Sequence, residues 1–154
     1  MKVDVEPFTR ALFDELLPLA QKCWKESTAD KAEKCAFYGE REFEIEPDFD
    51  AYERLGDSLV VITLRNERLA GYLVGFSYQA LHHKHILGGI ADTMYVEPEF
   101  RSYAPVVAER FEKEMRDRGV GIIGWPTTEN GPVHTLLKSM GYVGDDIVME
   151  KRIK

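Results

Sequence analysis

A short segment between a strand and a helix carries the clearest chemical signal in this sequence. An apolar run ends at Val96, Pro98 stops it, and Pro105 stands where a helix would begin. Backbone N–H groups at a helix N-terminus lack partners and carry partial positive charge, so they favour an anion such as a pyrophosphate. Arg101 lies between the two elements and can add a charge-assisted hydrogen bond. The alternative is that residues 101–106 are only a capped helix start.

Histidine and cysteine residues raise the question of metal or thiol chemistry. His82, His83 and His85 cluster before a strand, but only His83 and His85 would share a strand face. No further ligand has suitable spacing, so we predict a solvated hairpin tip and no bound metal. Cys23 and Cys35 have neither metal-ligand nor redox spacing, which indicates reduced thiols in a cytosolic protein.

A third group mixes aromatic and acidic side chains between residues 31 and 47. Its members are Phe37, Tyr38, Glu40, Glu42, Phe43, Glu44 and Glu46. The periodicity is unclear, and we predict a short helix followed by a loop. Such a segment is either ordinary exposed surface or a pocket wall for a cation, because aromatic faces and clustered carboxylates both favour positive charge.

A mixed α/β domain spanning residues 1–154 is predicted to position these groups. Apolar periodicity indicates elements in the order β, α, α, β, β, β, α, β, α, β. The predicted strands are Val3–Glu6, Leu59–Leu64, Leu69–Tyr78, Ile86–Val96, a buried Gly121–Trp125, and Ile147–Ile153. Helix starts are predicted after Thr9 and Asp48 and at Pro105 and Pro132, and Pro18 should bend or restart the first helix. The strands flanking the Pro105 helix form a βαβ unit, so they should be parallel and adjacent.

The overall charge restricts the partners. The chain has 154 residues and a formal net charge of −7. That charge argues against a sequence-independent nucleic-acid binder, which needs a basic surface, and it suits a cationic substrate. No apolar run is long enough to span a bilayer, and the first residues lack signal-peptide features. We therefore predict a soluble, cytoplasmic monomer or homodimer without a nucleic-acid or membrane partner.

The order of elements, together with two motifs, resembles the general N-acetyltransferase (GNAT) superfamily over nearly the whole chain. Residues 94–105 (MYVEPEFRSYAP) are similar to a strand ending in Val-x-Pro, followed by Arg/Gln-x-x-Gly-x-Gly/Ala and a helix. Residues 130–142 (NGPVHTLLKSMGY) are similar to Asn-x-x-Ala-x-x-Leu-Tyr-x-x-x-Gly-Phe. The hairpin strand at residues 69–76 is also typical, and the similarity extends to GNAT proteins carried by bacteriophages.

The resemblance implies acetyl-CoA binding in a cleft between two central parallel strands that splay apart, with helices on both faces of the sheet. The implied coenzyme-binding residues are Met94, Tyr95, Val96, Arg101, Ser102, Tyr103, Ala104, Val106 and Asn130. Ala104 and Val106 stand where the family has glycines, and Pro105 lacks an N–H donor, so we expect a weakened phosphate site. Asn130 is also a good turn and cap residue in its own right.

The resemblance also implies acid–base chemistry. Asp92 is the candidate general base, since strand periodicity would place it on one face with Met94 and Val96. The alternative is that Asp92 binds a backbone amide at a bulge. Leu137 stands where the family has a tyrosine acid. The candidate substitutes are Tyr103, His134 and Tyr142, although His134 also fits a half-exposed helix residue.

In this fold the connection after the first helix borders the acceptor. The resemblance therefore implies a substrate wall of Phe37, Tyr38, Glu42, Glu44 and Glu46, and the expected acceptor is a cationic amine. Two functions stay open: an active N-acetyltransferase for a small amine or protein amino group, and a GNAT-like binding or structural module without catalysis. A ligand-binding α/β protein that uses no coenzyme is a third alternative.

Overall fold

The structure is a computed structural model, described here for residues 1–28, 47–81, 84–127 and 131–144. Its centre is a five-stranded sheet whose strand order follows the chain. The strands are β1 (Lys2–Val5), β2 (Leu59–Arg65), β3 (Leu69–Gln79), β4 (Leu87–Val96) and β5 (Val120–Gly124). Neighbours are antiparallel from β1 to β4, and β4 is parallel to β5. The predicted mixed sheet with one parallel pair is confirmed.

Helices cover both faces of this sheet. They are α1 (Arg10–Thr28), α2 (Phe49–Glu53), α3 (Ala104–Asp117) and α4 (Pro132–Ser139). Two 3₁₀ helices, Gly56–Ser58 and Pro98–Tyr103, precede β2 and α3. The predicted strand at Ile147–Ile153 lies outside the described residues.

Local sequence signals account for most helix ends. Thr9 Oγ1 accepts a 3.2 Å hydrogen bond from the N–H of Leu12, and Asp48 Oδ1 accepts one of 3.0 Å from the N–H of Asp50. Gly119 follows α3 with φ of 84°, a conformation that favours glycine. Pro18 lies inside α1 on its exposed side, and the helix does not begin afresh there.

Two apolar layers hold the sheet between the helices. The α1-side layer contains Leu12, Leu16, Leu19, Leu59, Val61, Leu69, Tyr72, Val74 and Tyr95, with Phe8, Cys23, Tyr52 and Leu55 packed against it. The α3-side layer contains Val60, Ile62, Leu64, Leu73, Ala91, Val96, Val107, Phe111 and Met115, with Met94 and Ile123 packed against it. Successive residues of β2 alternate between the layers, as strand geometry requires.

The last described strand corrects one prediction. β5 is not buried: the side chain of Ile122 is 63% exposed, whereas Ile123 packs in the α3-side layer. Trp125 follows the strand rather than ending it, and its ring lies 5.9 Å from that of Phe111. An apolar sequence predicts burial on both faces, but α3 covers only one face of β5.

The buried carboxylate of Glu97 connects the end of β4 to α1 and to the β2–β3 turn. Glu97 follows β4 and is 5% exposed. Its carboxylate lies 2.7 Å from Lys22 Nζ of α1 and 2.5 Å from Arg68 Nη1 of the β2–β3 turn. Burial alone would raise the pKa of Glu97, but the hydrogen bonds from Lys22 and Arg68 outweigh it and hold that pKa below its usual range.

Glu97→Gln should lower the free energy of unfolding at pH 7 by about 1–2 kcal/mol, because it removes a charged acceptor shared by two partly exposed cations. A carboxyl whose pKa is lower in the folded state than in the unfolded state stabilises the fold at pH values above its unfolded-state pKa. This contribution is lost as the pH falls through the folded-state pKa. The difference between wild type and variant should therefore shrink in acid. Urea unfolding at several pH values measures it.

The matched control is Glu99→Gln, because Glu99 is exposed and pairs with the same Arg68 at 3.5 Å. This variant should change stability by less than about 0.5 kcal/mol. Equal losses from both changes would show that the burial of Glu97 adds nothing.

Candidate active site

β4 and β5 separate partway along β4. The parallel register ends at the pair Ile90↔Gly124. From Ala91 to Val96, β4 is paired on one side only, with β3. Its other edge presents backbone N–H and C=O groups that no strand in the described part of the chain pairs with. This edge forms the predicted opening between the two central strands.

A β-bulge lies at this opening. Val74 pairs with Thr93 and Gly75 pairs with Ala91, which leaves Asp92 as an extra residue without a partner on β3. Asp92 is two positions beyond the last β4 residue that pairs with β5. Bulges redirect neighbouring side chains and interrupt the ladder. The carboxylate of Asp92 forms no hydrogen bond with a backbone amide of any described residue, although a bulge was part of the alternative role considered for it.

The surroundings of Asp92 suit proton transfer. Its side chain is solvent-exposed, yet the neighbouring protein desolvates it enough to raise the pKa of its carboxyl. Burial raises the pKa of Tyr52 and Tyr72, and the charge of Asp92 raises both further. An accessible carboxylate with a raised pKa is a stronger base than an ordinary aspartate.

The bulge also overturns the predicted arrangement of side chains on β4. Ala91, Met94 and Val96 all pack on the α3 side, so Asp92, which follows Ala91, points to the other face. Thr93 bonds to Tyr72 of the α1-side layer, and the charge of Asp92 raises the pKa of Tyr72. Asp92 therefore does not share the face of Met94 and Val96, because the extra residue interrupts the two-residue alternation.

Contacts on the α1 side support the half of β4 that has no β5 partner. Tyr72 Oη and Thr93 Oγ1 share a hydrogen bond of 3.3 Å. Cys23 Sγ donates to the carbonyl of Met94 at 3.7 Å, and burial raises the pKa of this thiol. Tyr72 thus attaches β3 to β4, and Cys23 attaches α1 to β4, both immediately beside the bulge.

The turn between β4 and α3 differs from the predicted helix start. The 3₁₀ helix Pro98–Tyr103 runs directly into α3, and the N–H of Ala104 donates to the carbonyl of Arg101. Pro105 has no N–H, so Ala104 and Pro105 both fail to supply the expected phosphate donors. The side chain of Val106 is 45% exposed at the same helix end.

Side chains on this turn can replace the missing backbone donors. Arg101, Ser102 and Tyr103 are all exposed there. Arg101 forms an ion pair with Glu26 of α1, and its Nε donates to the carbonyl of Val96 at 3.5 Å. A guanidinium, a hydroxyl and a phenol are suitable donors to phosphate oxygens, so the residues present fit an anionic group.

Glu26 is a residue of this region that the sequence analysis missed. Its second carboxylate oxygen accepts a 2.7 Å hydrogen bond from Tyr95 Oη. Burial, followed by the bond to Glu26, raises the pKa of Tyr95 to about 12. No local pattern could have identified Glu26, since Arg101 is 75 positions away in the chain.

The α4 segment holds the other candidate acids. Leu137 stands at the position where the family has its tyrosine. Its side chain is buried and carries no hydroxyl. The Tyr142 ring lies 6.0 Å from that of Trp125, and burial followed by a hydrogen bond with Glu112 raises its pKa. The phenol of Tyr142 therefore stays protonated at neutral pH, and Glu112 is already its hydrogen-bond partner. His134 lies on α4 and is partly buried.

Several predicted site residues lie outside the described residues. They are Phe37, Tyr38, Glu42, Glu44, Glu46 and Asn130. Across the described ranges, no group of three or more His, Cys, Asp or Glu side chains could hold a metal ion. No helix in the same ranges combines the length and apolar character that crossing a bilayer requires.

Several solved structures with this architecture are named as acetyltransferases. An aminoglycoside acetyltransferase from an uncultured soil metagenomic sample superposes with a TM-score of 0.72 at 15% identity, covering 100% of both chains. Glucosamine-6-phosphate N-acetyltransferase from Arabidopsis thaliana gives 0.68 at 12% identity, also over 100% of both chains. Ribosomal-protein-alanine N-acetyltransferase from Brucella melitensis gives 0.66 at 13%, again with full coverage of both.

The sequence comparisons add no closer relative. No protein-family model matches the chain, and no curated protein is similar to it in sequence. The structural similarity confirms the predicted resemblance at the level of the fold: the chain has the GNAT fold, an architecture used by N-acetyltransferases.

Proposed function

We propose that this protein is a cytoplasmic N-acyltransferase that transfers an acetyl group from acetyl-CoA to a primary amine. One observation carries the proposal: β4 leaves β5 immediately before a bulged, solvent-accessible and partly desolvated carboxylate, Asp92. The open edge of β4 leads from there to the exposed polar side chains that precede α3. In this proposal Asp92 is the reactive group at one end of the edge, and the exposed side chains at the other end bind an anion.

Each part of this edge has a distinct role. Arg101, Ser102 and Tyr103 would hold the coenzyme phosphates. Backbone groups of Met94 to Val96 on the edge without a strand partner would bind its extended arm, and the carbonyls of Met94 and Val96 would exchange their present donors, Cys23 and Arg101, for it. The coenzyme supplies an acetyl group activated as a thioester. Asp92 takes a proton from the incoming ammonium, directly or through water, because a protonated amine has no lone pair for attack. Tyr103 belongs to the phosphate end of this edge, so the departing sulfur would take its proton from the reacting nitrogen rather than from Tyr103.

A binding or structural module without catalysis is the competing function. The bonded N–H of Ala104, the proline at position 105 and the buried Leu137 all favour it. Native mass spectrometry for co-purified coenzyme, followed by thiol release over a panel of amines, separates the two functions. Coenzyme binding without thiol release for any amine would favour the module.

Arg101→Ala should weaken coenzyme binding about tenfold, because a charge-assisted phosphate bond is lost. The loss is moderated because wild-type Arg101 must first give up its ion pair with Glu26. Calorimetric titration with acetyl-CoA measures the change. Arg116→Ala, an exposed arginine at the opposite end of α3, is the control and should bind like wild type. Wild-type protein that shows no heat at millimolar coenzyme would refute the coenzyme site itself.

A further inference from the structure

A cavity lies where β1 ends and β2 begins. Its volume is about 660 Å³, which falls in the range of roughly 300–1,000 Å³ typical of small-molecule sites. Phe8, Leu59 and Val61 supply apolar lining, and all three belong to or pack against the α1-side layer. The cavity therefore has an apolar floor on the face of the sheet toward which Asp92 is directed.

Two of the charged side chains at the cavity belong to ion-pair clusters. Glu6 lines it, but its carboxylate is compensated by Arg65 at 2.5 and 3.1 Å. Arg118 also lines it, but Glu114 accepts a 3.0 Å hydrogen bond from Arg118 Nε, and a backbone carbonyl occupies its Nη1. Each partner is shared, because Arg65 also pairs with Glu15 and Glu114 also pairs with Arg110. The two clusters therefore leave one negative and one positive charge, which offset each other.

Two carboxylates at the cavity have no such compensation. The side chains of Glu53 and Asp57 are exposed and form no ion pair or hydrogen bond with any other described residue. Among the residues that the structure describes, the uncompensated charge at the cavity is therefore negative, and a ligand that matches it carries a positive charge.

Tyr52 connects this cavity to the candidate base. It lines the cavity, is half-buried, and packs against Phe8 with a centroid separation of 5.8 Å. Val61 of the cavity floor pairs with Val74 of β3, and Val74 pairs with Thr93, the neighbour of Asp92. Asp92 therefore lies two strands from the cavity, beside the same row of the sheet, and its charge also raises the pKa of the Tyr52 phenol.

We propose that this cavity binds the acceptor as a dication. Glu53 and Asp57 hold one ammonium group, an apolar spacer lies across Phe8, Leu59 and Val61, and the second amine passes Tyr52 to reach Asp92. The substrate class is an alkyl amine that carries a second cationic centre. This inference rests on the proposed function, because it uses Asp92 as the base for the reacting amine.

Acetyl transfer removes two protons from the reacting nitrogen, one to Asp92 and one to the coenzyme sulfur. The reacting ammonium gives one proton to Asp92 and becomes a free amine. Its nitrogen forms a bond to the acetyl carbon while the bond between that carbon and the coenzyme sulfur breaks. The second proton leaves the nitrogen and goes to the sulfur, so the products are an N-acetyl amine and the free thiol. Asp92 then releases its proton to solvent.

The test compares α,ω-diaminoalkanes with monoamines of equal chain length in a thiol-release assay. Wild type should show about a tenfold higher kcat/KM for the best diamine, an advantage that falls with added salt, because exposed carboxylates attract the second ammonium. The advantage should peak at one chain length, since the spacer must span from Glu53 and Asp57 to Asp92.

The double variant Glu53→Gln/Asp57→Asn should remove most of that advantage, mainly by raising KM for the diamine rather than by lowering kcat. Glu67→Gln is the matched control, because Glu67 is an exposed acid in the β2–β3 turn at the opposite end of β2. Equal use of diamines and monoamines by wild type, or an advantage that persists in the double variant, would overturn the proposal while leaving the proposed function intact.

If no amine is acetylated, calorimetric titration with diaminohexane in the absence of coenzyme still tests whether the cavity binds a dication. Binding to wild type that weakens about tenfold in the double variant, but not in Glu67→Gln, supports the cavity even if the proposed function fails. Absence of binding to wild type overturns the cavity as a dication site.

Discussion

Replacing Asp92 with asparagine should lower kcat for amine acetylation by about 10²–10⁴-fold, the usual contribution of a general base. Coenzyme affinity should stay nearly unchanged, because the side chains that we propose to bind its phosphates lie beyond the end of β4. Steady-state kinetics and coenzyme titration measure the two quantities separately. A variant that lost both together would point to a structural role for Asp92.

The pH dependence gives this prediction a second readout. Asp92 must be ionised to accept a proton, and its pKa is raised by desolvation. The rate of wild type should therefore rise with pH through a value above the usual aspartate range, and this limb should disappear from the residual activity of the asparagine variant. A limb that persists unchanged would assign it to another group.

Asp92→Asn should lower activity without lowering the stability of the fold. A carboxyl with a raised pKa binds its proton more tightly in the folded state, so its stabilising contribution is lost as pH rises through the folded-state pKa. At pH 7 the ionised Asp92 is thus a cost to folding. Asp92→Asn should consequently unfold at the same or a slightly higher temperature, and Asp14→Asn, an exposed acid on α1, is the control.

Gly75→Ala should destabilise the protein by about 3 kcal/mol or more, because an added methyl group has nowhere to go. A Cβ at Gly75 would lie 2.3 Å from the carbonyl oxygen of Ile90 and 2.5 Å from Cζ of Phe111. The nearer contact is with the backbone of β4, which cannot move aside without breaking the sheet. Urea unfolding of the variant measures the loss.

Gly121→Ala is the matched control on β5. A Cβ there would meet only Cγ2 of Ile86, at 4.0 Å, which is ordinary van der Waals contact. It should change stability by less than about 1 kcal/mol. Phe111→Leu should not rescue Gly75→Ala, since the carbonyl of Ile90 remains in place. Rescue by that second change would show that the ring, rather than the approach of β3 to β4, sets the requirement for glycine.

Local signals were sufficient to predict most of the fold. Thr9 and Asp48 cap the helices they were predicted to start. Capping and turn chemistry depend on residues a few positions apart, so a single sequence contains them. The parallel β4–β5 pair followed from the handedness and length rules for a helical crossover.

Local sequence signals predicted less of the candidate active site. Sequence indicated Asp92 as a candidate but placed it on the wrong face, because the position of a bulge depends on the register between two strands. The interactions of Arg101 with Glu26 and of Glu97 with Lys22 join residues 75 positions apart in each case. The acidic cavity likewise combines residues from β1, α2 and β2, which no periodic pattern connects.

The two apolar layers are completed at different stages of synthesis. Every described residue of the α1-side layer lies at or before Tyr95, so this part of the layer can pack as soon as residues up to the end of β4 have emerged from the ribosome. The α3-side layer also needs Val107, Phe111 and Met115. A nascent chain that stops after β4 therefore exposes the apolar α3-side residues of β2 and β3. That face is where we expect a chaperone to bind during translation, until α3 is made and covers it.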